Sequence, residues 1–228
     1  MFDIEVSRML NKSEVGNFVF EPVGNICNVQ IFDNLKMDTV GELVGNLAHI
    51  IAQLPLSKPF ETTSTKIVSP YDISEDTFVF DVAINCGGGD FVAYKAIASM
   101  FALAKSRGAI IRTYNIGRAA SSASMLAIQG TPGYRIMSEN AYNMIHYGTD
   151  GSLNTVRKDE MEIEVGNKKK DHAQVFSVYE KYTKITKEEL EKYETKEGSG
   201  RLFANQCLKK HLCDWILTLN GQLIGRKR

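Results

Sequence analysis

The reading turns on one stretch: Gly117-Arg118-Ala119-Ala120-Ser121-Ser122-Ala123-Ser124-Met125-Leu126-Ala127. It follows Ala109-Ile110-Ile111-Arg112-Thr113-Tyr114-Asn115-Ile116, an apolar, β-branched run that predicts a strand. After Ser121 the residues are small or apolar, with no glycine or proline until Gly130, which predicts a short, closely packed helix. Ser121 therefore falls where a strand turns into a helix. Two roles fit that place. A serine can cap the helix by accepting from an amide that has no partner within it. Alternatively, its oxygen can attack a carbonyl while the next amide N–H catches the negative oxygen that forms. The local pattern leaves both open.

The accompanying segments narrow the choice. Thr77 to Asn85 predicts a buried strand running into Cys86-Gly87-Gly88-Gly89-Asp90. A helix is expected over 91–106, with Tyr94, Ile97, Phe101 and Ala104 facing inward. A glycine turn between strand and helix can present backbone N–H groups to a phosphate or an oxyanion. No Gly-Lys-Ser/Thr follows, and the GxGxxG spacing is absent, so neither a Walker loop nor a dinucleotide fingerprint is signalled. An ordinary tight turn is the plain alternative. A third strand, Tyr134 to Met137, precedes an apolar run from Ala141 that ends at His146, just before Gly148. Strand ends are where α/β folds set functional side chains, although a structural histidine fits there too.

The remaining chain bounds the answer. Its 228 residues suit one domain with an appendage. Lys+Arg 27 against Asp+Glu 27 gives no net charge, which argues against charge-driven binding to nucleic acid or a membrane surface. Cys27, Cys86, Cys207 and Cys213 form no CxxC pair, so they read as reduced thilos of a cytoplasmic protein without a metal site. The start, Met1-Phe2-Asp3-Ile4-Glu5, is no signal peptide, and no run is long and apolar enough to span a membrane.

Strands are expected at 18–20 and 28–32 around the turn Pro22-Val23-Gly24-Asn25. Asp38 is expected to cap a helix over 39–53 that buries Val40, Leu43, Val44, Leu47, Ile50 and Ile51. His49 on it reads as a packed or surface residue. Residues 55–77 read as a loop. Residues 153–182 read as one long charged helix, or two joined near Gly166, too long to be covered by one small domain. His172 and the nearby lysines read as solvated. Thr186-Lys187-Glu188-Glu189 predicts a capping box and a helix to Tyr193. Gly198-Ser199-Gly200 breaks it. A closing helix and an apolar segment containing Trp215 follow over 203–219, then a basic tail over 220–228.

The order Ile84-Asn85-Cys86-Gly87-Gly88-Gly89, then Gly117-Arg118-Ala119-Ala120-Ser121, then Met144-Ile145-His146 resembles the Clp protease proteolytic subunit (ClpP) family. That family has an Ile-Asn-Ser-Pro-Gly-Gly turn, a Gly-Gln-Ala-Ala-Ser nucleophile segment and a Met-Ile-His segment. The likeness covers about residues 18 to 219, with a weaker C-terminal third. It implies an α/β fold of repeated ββα units with a projecting helical handle. The arm would then be 1–17, the head 18–150, the handle 151–185 and the return to the head 186–228. By the same likeness Ser121 is the nucleophile and His146 the general base. Gly89 and Ser122 then supply the N–H groups of the oxyanion hole.

The resemblance implies hydrolysis of unfolded protein inside stacked seven-membered rings, a heptamer or tetradecamer of this chain. No cofactor is needed, and a separate Clp-type ATPase ring would supply unfolding. Residues after Gly89 could add an extended peptide as a strand. The chain departs from the family in two places. Gly87 replaces the conventional proline. The family's aspartate falls on Tyr193 counting forward and on Thr195 counting back, with Glu194 between them as the acid that could serve. Losing the third member costs on the order of 10⁴ in turnover in a protease triad. A phage-type capsid or scaffold processing protease and a non-catalytic ring subunit are the alternatives within the fold. A crotonase-type acyl-thioester enzyme needs no such serine.

Overall fold

The computed structural model describes residues 20–55, 69–146, 161–194 and 200–226. The expected arm over 1–17 and Thr195 lie outside them, as do most of 55–77 and the first part of the expected long helix.

Chain order runs β1 (Phe20–Val23), β2 (Ile26–Leu35), α1 (Met37–Gln53), β3 (Val79–Gly89), α2 (Phe91–Ser106), β4 (Ile110–Ala120) and α3 (Ser122–Ile128). Then follow β5 (Arg135–Ser138), β6 (Tyr142–Ile145), α4 (Met161–Tyr182), α5 (Lys187–Glu194), β7 (Gly200–Phe203), α6 (Ala204–Lys209), β8 (Trp215–Leu217) and β9 (Leu223–Gly225). β1 and β2 form a hairpin around Gly24, whose φ of 59° suits a residue without a side chain. β2, β3, β4 and β5 are parallel neighbours joined through α1, α2 and α3, the right setting for strands buried on both faces. The architecture is thus the expected α/β one, a central sheet with helices.

β4 divides the sheet. Its first half pairs with β5 at Thr113↔Arg135 to Asn115↔Met137. Its last three residues pair instead with β6, from Arg118↔Tyr142 to Ala120↔Met144. β5 leads on to β8 and β9, and β6 to β7. The strand that carries the Gly-Arg-Ala-Ala-Ser segment is therefore flanked by a second, short branch that ends at His146.

The expected inward faces hold except at Val44, which is half-buried against the core. Val40, Leu43, Leu47, Ile50 and Ile51 of α1 are buried, as are Tyr94, Ile97, Phe101 and Ala104 of α2. They meet Ile31, Phe80, Val82 and Ile84 of the sheet in one core. All four cysteines are buried thiols. Burial pushes the Cys207 thiol up to about 12, and lifts Cys27 and Cys213 as well.

Several expectations need correction. Asp38 does not cap α1; Lys36 stands at the cap and Asp38 lies in the first turn. β3 continues through the glycine run that reads as a turn, because glycine can hold a ladder at positive φ where other residues cannot. Residues after Gly89 cannot add a peptide strand: Asp90 caps α2 by accepting from the N–H groups of Val92 and Ala93 at 2.6 and 3.1 Å, and the helix starts at Phe91. The basic tail contains β9, which closes antiparallel on β8. α4 runs unbroken past Gly166, where nothing crowds the backbone. Its Asp171 reaches Lys95, and its far end is buried at Tyr179. The Thr186 capping box is present: Glu189 N–H donates to Thr186 Oγ1 at 3.3 Å and Thr186 N–H to Glu189 Oε2 at 3.2 Å.

A buried charge fixes the C-terminal third. Asp214 accepts from Arg135 Nε (2.8 Å) and Nη2 (2.7 Å), from the Gly133 N–H (2.7 Å) and from Arg226 (2.6 Å). Arg135 also donates to the Tyr182 carbonyl at 2.9 Å, so one guanidinium joins β5, the end of α4 and the segment before β8. Burial would raise the Asp214 carboxyl; the hydrogen bonds and charge of Arg135, helped by Arg226, hold it below its ordinary value. A depressed carboxyl contributes stability above its unfolded pKa of about 3.9, and that contribution is lost as pH falls through the lower folded value. Asp214→Ala leaves Arg135 buried without its partner and should lower the unfolding free energy by about 3–5 kcal/mol at pH 7 in urea melts. The gap between wild type and Asp214→Asn should narrow as pH drops below about 4.

Candidate active site

Ser121 occupies the turn between β4 and α3 at φ 54°, ψ −125°, in the positive-φ region that residues with a side chain avoid. Two sets of backbone bonds hold it there. Its N–H donates to the Met144 carbonyl of β6 at 2.8 Å, and its carbonyl accepts from the N–H groups of Ser124 (2.9 Å) and Met125 (3.3 Å). The side chain makes no capping bond to α3. Of the two roles open to this serine in the sequence, the cap is therefore ruled out. Holding a non-glycine residue in such a conformation costs of order 1–3 kcal/mol. Strand-to-helix elbows use this device to push a serine oxygen clear of the surrounding chain.

His146 follows the last residue of β6 and is half-buried. One rung beyond Ala120↔Met144 the chains carry Ser121 and Ile145, and His146 comes next. The serine and the histidine thus leave the carboxyl ends of two adjacent parallel strands. On the other side of β6, β7 starts at Gly200, paired with Ile145. A Cβ on Gly200 would lie 2.4 Å from the Ile145 carbonyl oxygen and 2.9 Å from Cγ of Tyr193. The Tyr193 ring therefore packs beside the end of β6, at the position where the forward count places the family's aspartate. Glu194 closes α5, and its side chain lies outside the described residues.

The glycine run lies against Ser121. Gly88 has φ 95°, and a Cβ there would come 2.6 Å from the Ala120 carbonyl, 2.7 Å from Ser121 Cβ and 3.2 Å from Ser122 N. Without a side chain Gly88 packs against the Ser121 turn more closely than another residue could. Gly89 has φ 135°, and a Cβ there would meet the Leu35 backbone at 2.2 Å. Beyond Cys86↔Ala119 the run is paired only with β2, at Asn34↔Gly88 and Leu35↔Gly89. Its other edge faces the Ser121 turn.

Two side chains that the sequence did not single out for a role here also reach the run. The Gly88 N–H donates to Cys86 Sγ at 3.3 Å, and Ser122 Oγ donates to the Gly89 carbonyl at 2.9 Å. Further back, Gly117 leaves room for Asn85, whose Oδ1 accepts from the Arg118 N–H at 3.3 Å. α3 is itself anchored to the long helix, where Tyr179 O–H donates to Ser124 Oγ at 3.0 Å. Among the described residues no cluster of His, Cys, Asp and Glu is placed to hold a metal ion, and no helix is long and apolar enough to cross a membrane.

The α/β sheet thus brings a strained serine, a glycine run and a histidine-bearing strand end to one place. The Clp protease family model matches residues 70–219, and the chain belongs to that family. The chain is 30% identical over 135 residues to the ATP-dependent Clp protease proteolytic subunit 2 of Leifsonia xyli subsp. xyli, a match covering 59% of this chain and 58% of the relative. The chain thus spans well under two thirds of that relative's length.

The glycines differ in what they tolerate. Gly87 meets only the tips of Asn34 and Arg118, which can move, whereas Gly88 meets backbone and sits at positive φ. Gly88→Ala should therefore destabilise the fold by about 1–3 kcal/mol in a denaturant melt. Gly87→Ala should change it by less than about 1 kcal/mol.

Proposed function

We propose that this chain is a serine endopeptidase that cleaves unfolded polypeptide through an acyl-enzyme. The observation that carries the reading is Ser121 itself, held in a strained turn with its oxygen not used for capping. In the proposed reaction His146 takes the Ser121 hydroxyl proton as the oxygen bonds to the scissile carbonyl carbon. The carbonyl oxygen becomes an oxyanion held by the N–H groups of Gly89 and Ser122. Losing one such donor typically costs ~3 kcal/mol. The tetrahedral intermediate collapses, the C–N bond breaks and His146 delivers its proton to the leaving amine. Water, deprotonated by His146, then attacks the ester and frees Ser121.

The wider reading follows the family. The chain would assemble into a heptameric or tetradecameric ring, with α4 as part of the handle between rings. A cytoplasmic Clp-type ATPase would deliver unfolded substrate. Glu194 is the proposed acid behind His146. The Tyr193 ring beside the end of β6 favours a second reading, a ring subunit whose serine turns over slowly or not at all. A phage-type processing protease remains a variant of the first reading.

Hydrolysis of an activated peptidyl ester tests the assignment without an ATPase. Ser121→Ala and His146→Ala should each lower kcat by a factor on the order of 10⁴ or more while the fold is retained. Wild-type turnover in either variant would remove that residue from the mechanism. Native mass measurement should show a multimer of seven or fourteen chains; a monomer would contradict the ring.

A further inference from the structure

We propose that the Ser122 hydroxyl is a positioning residue that sets the oxyanion hole before substrate arrives. This rests on the peptidase reading above and adds a role to a side chain that the reading does not use. Ser122 is 3% exposed, and its Oγ donates to the Gly89 carbonyl at 2.9 Å. The N–H of the same peptide unit, that of Asp90, donates to the Leu35 carbonyl at 3.0 Å. The Gly89–Asp90 peptide is therefore held at both ends, by α3 on one side and by β2 on the other. The Gly87–Gly88 peptide is held in turn by the bond from its N–H to Cys86 Sγ at 3.3 Å. Between these two fixed units lies the Gly88–Gly89 peptide, which carries the N–H proposed to bind the oxyanion.

A lock is needed here because of glycine. Gly88 and Gly89 have no Cβ to restrict them; the Gly88 carbonyl is held by the Cys86 thiol at 3.7 Å, and the far side of Gly89 is held by the peptide that Ser122 binds. Turning the Gly89–Asp90 peptide about Gly89 until its carbonyl left Ser122 would shift the adjacent Gly89 N–H and strand a buried hydroxyl. That disfavours the rotated state by roughly five- to a hundred-fold. The same residue thus contributes twice: its amide would be one oxyanion donor, and its hydroxyl aligns the other. Placing the hydroxyl directly after the nucleophile ties the two halves of the hole by one side chain.

The test compares wild type, Ser122→Ala, Ser122→Cys and Ser122→Thr in the full-length chain. Peptidyl ester kinetics, the second-order rate of fluorophosphonate labelling and melting temperature are measured on each. Ala removes the donor, Cys keeps the volume with a weak donor, and Thr restores a strong one. The expected result is a fall in kcat and in labelling rate of about ten-fold or more for Ala and Cys, with KM within about two-fold of wild type. Thr should recover most of the rate.

Wild-type rates in both Ala and Cys would overturn the proposal. So would a loss that appears only as a raised KM or follows the melting temperature, since that marks a purely structural contact. Should Ala not fold, the Cys variant decides alone by the same criteria. A wild-type chain that neither turns over nor labels at Ser121 would instead overturn the peptidase reading, so the two failures are distinguishable.

Discussion

Ser121 is caught between two partners that do not let it relax. Its N–H is bound by the Met144 carbonyl and its own carbonyl is taken by the first turn of α3, so φ stays at 54° although a serine gains nothing locally from it. The rest of the site follows from this pinning. The bond to Met144 draws β6 alongside the last residues of β4, and that places His146 one residue beyond the rung of the serine. The bonds to α3 direct the helix away into the core, where Ala123, Ser124, Leu126 and Ile128 are buried. The strain is sustained by packing on both sides of the turn, as buried sheets and helices with good cores can do.

The glycine run is the complement of that turn. Gly88 presses its α-carbon against Ser121, and Gly89 does the same against Leu35, so the run is squeezed between the Ser121 turn and β2. Any side chain at 88 or 89 would collide with backbone. The positive φ values at both positions make glycine the residue type that fits. Meanwhile the buried Arg135–Asp214 pair holds β5, α4 and the C-terminal segment together at a distance from the chemistry.

Much of this was legible in the sequence because it rests on local signals. The 3.6-residue spacing of Tyr94, Ile97, Phe101 and Ala104 foretold the buried face of α2. The change at Ser121 from β-branched to small residues located the strand–helix junction. What was not legible depended on tertiary contacts. Whether Ser121 caps α3 is a matter of where its oxygen points, which the composition of the turn does not encode. The glycine run reads as a turn by composition and is a strand by pairing, because β2 supplies the ladder from more than fifty residues upstream. β9 was hidden in a basic tail whose few apolar residues become a strand only by closing on Trp215–Leu217. The resemblance marked Ser122 for its amide alone, and the part its hydroxyl plays is seen only in the contact with Gly89.

The chain belongs to the Clp protease family, and the proposed peptidase reading rests on Ser121 and His146, with Tyr193 packed beside the end of β6 where the family's acid is expected. The most direct test of the central claim is to locate a covalent adduct. The native protein would be treated with a fluorophosphonate, digested and sequenced by tandem mass spectrometry. The account predicts a single modified residue, Ser121, with Ser122 and Ser124 untouched and no adduct after prior unfolding. An adduct on either neighbouring serine, or equal modification of the unfolded chain, would contradict it.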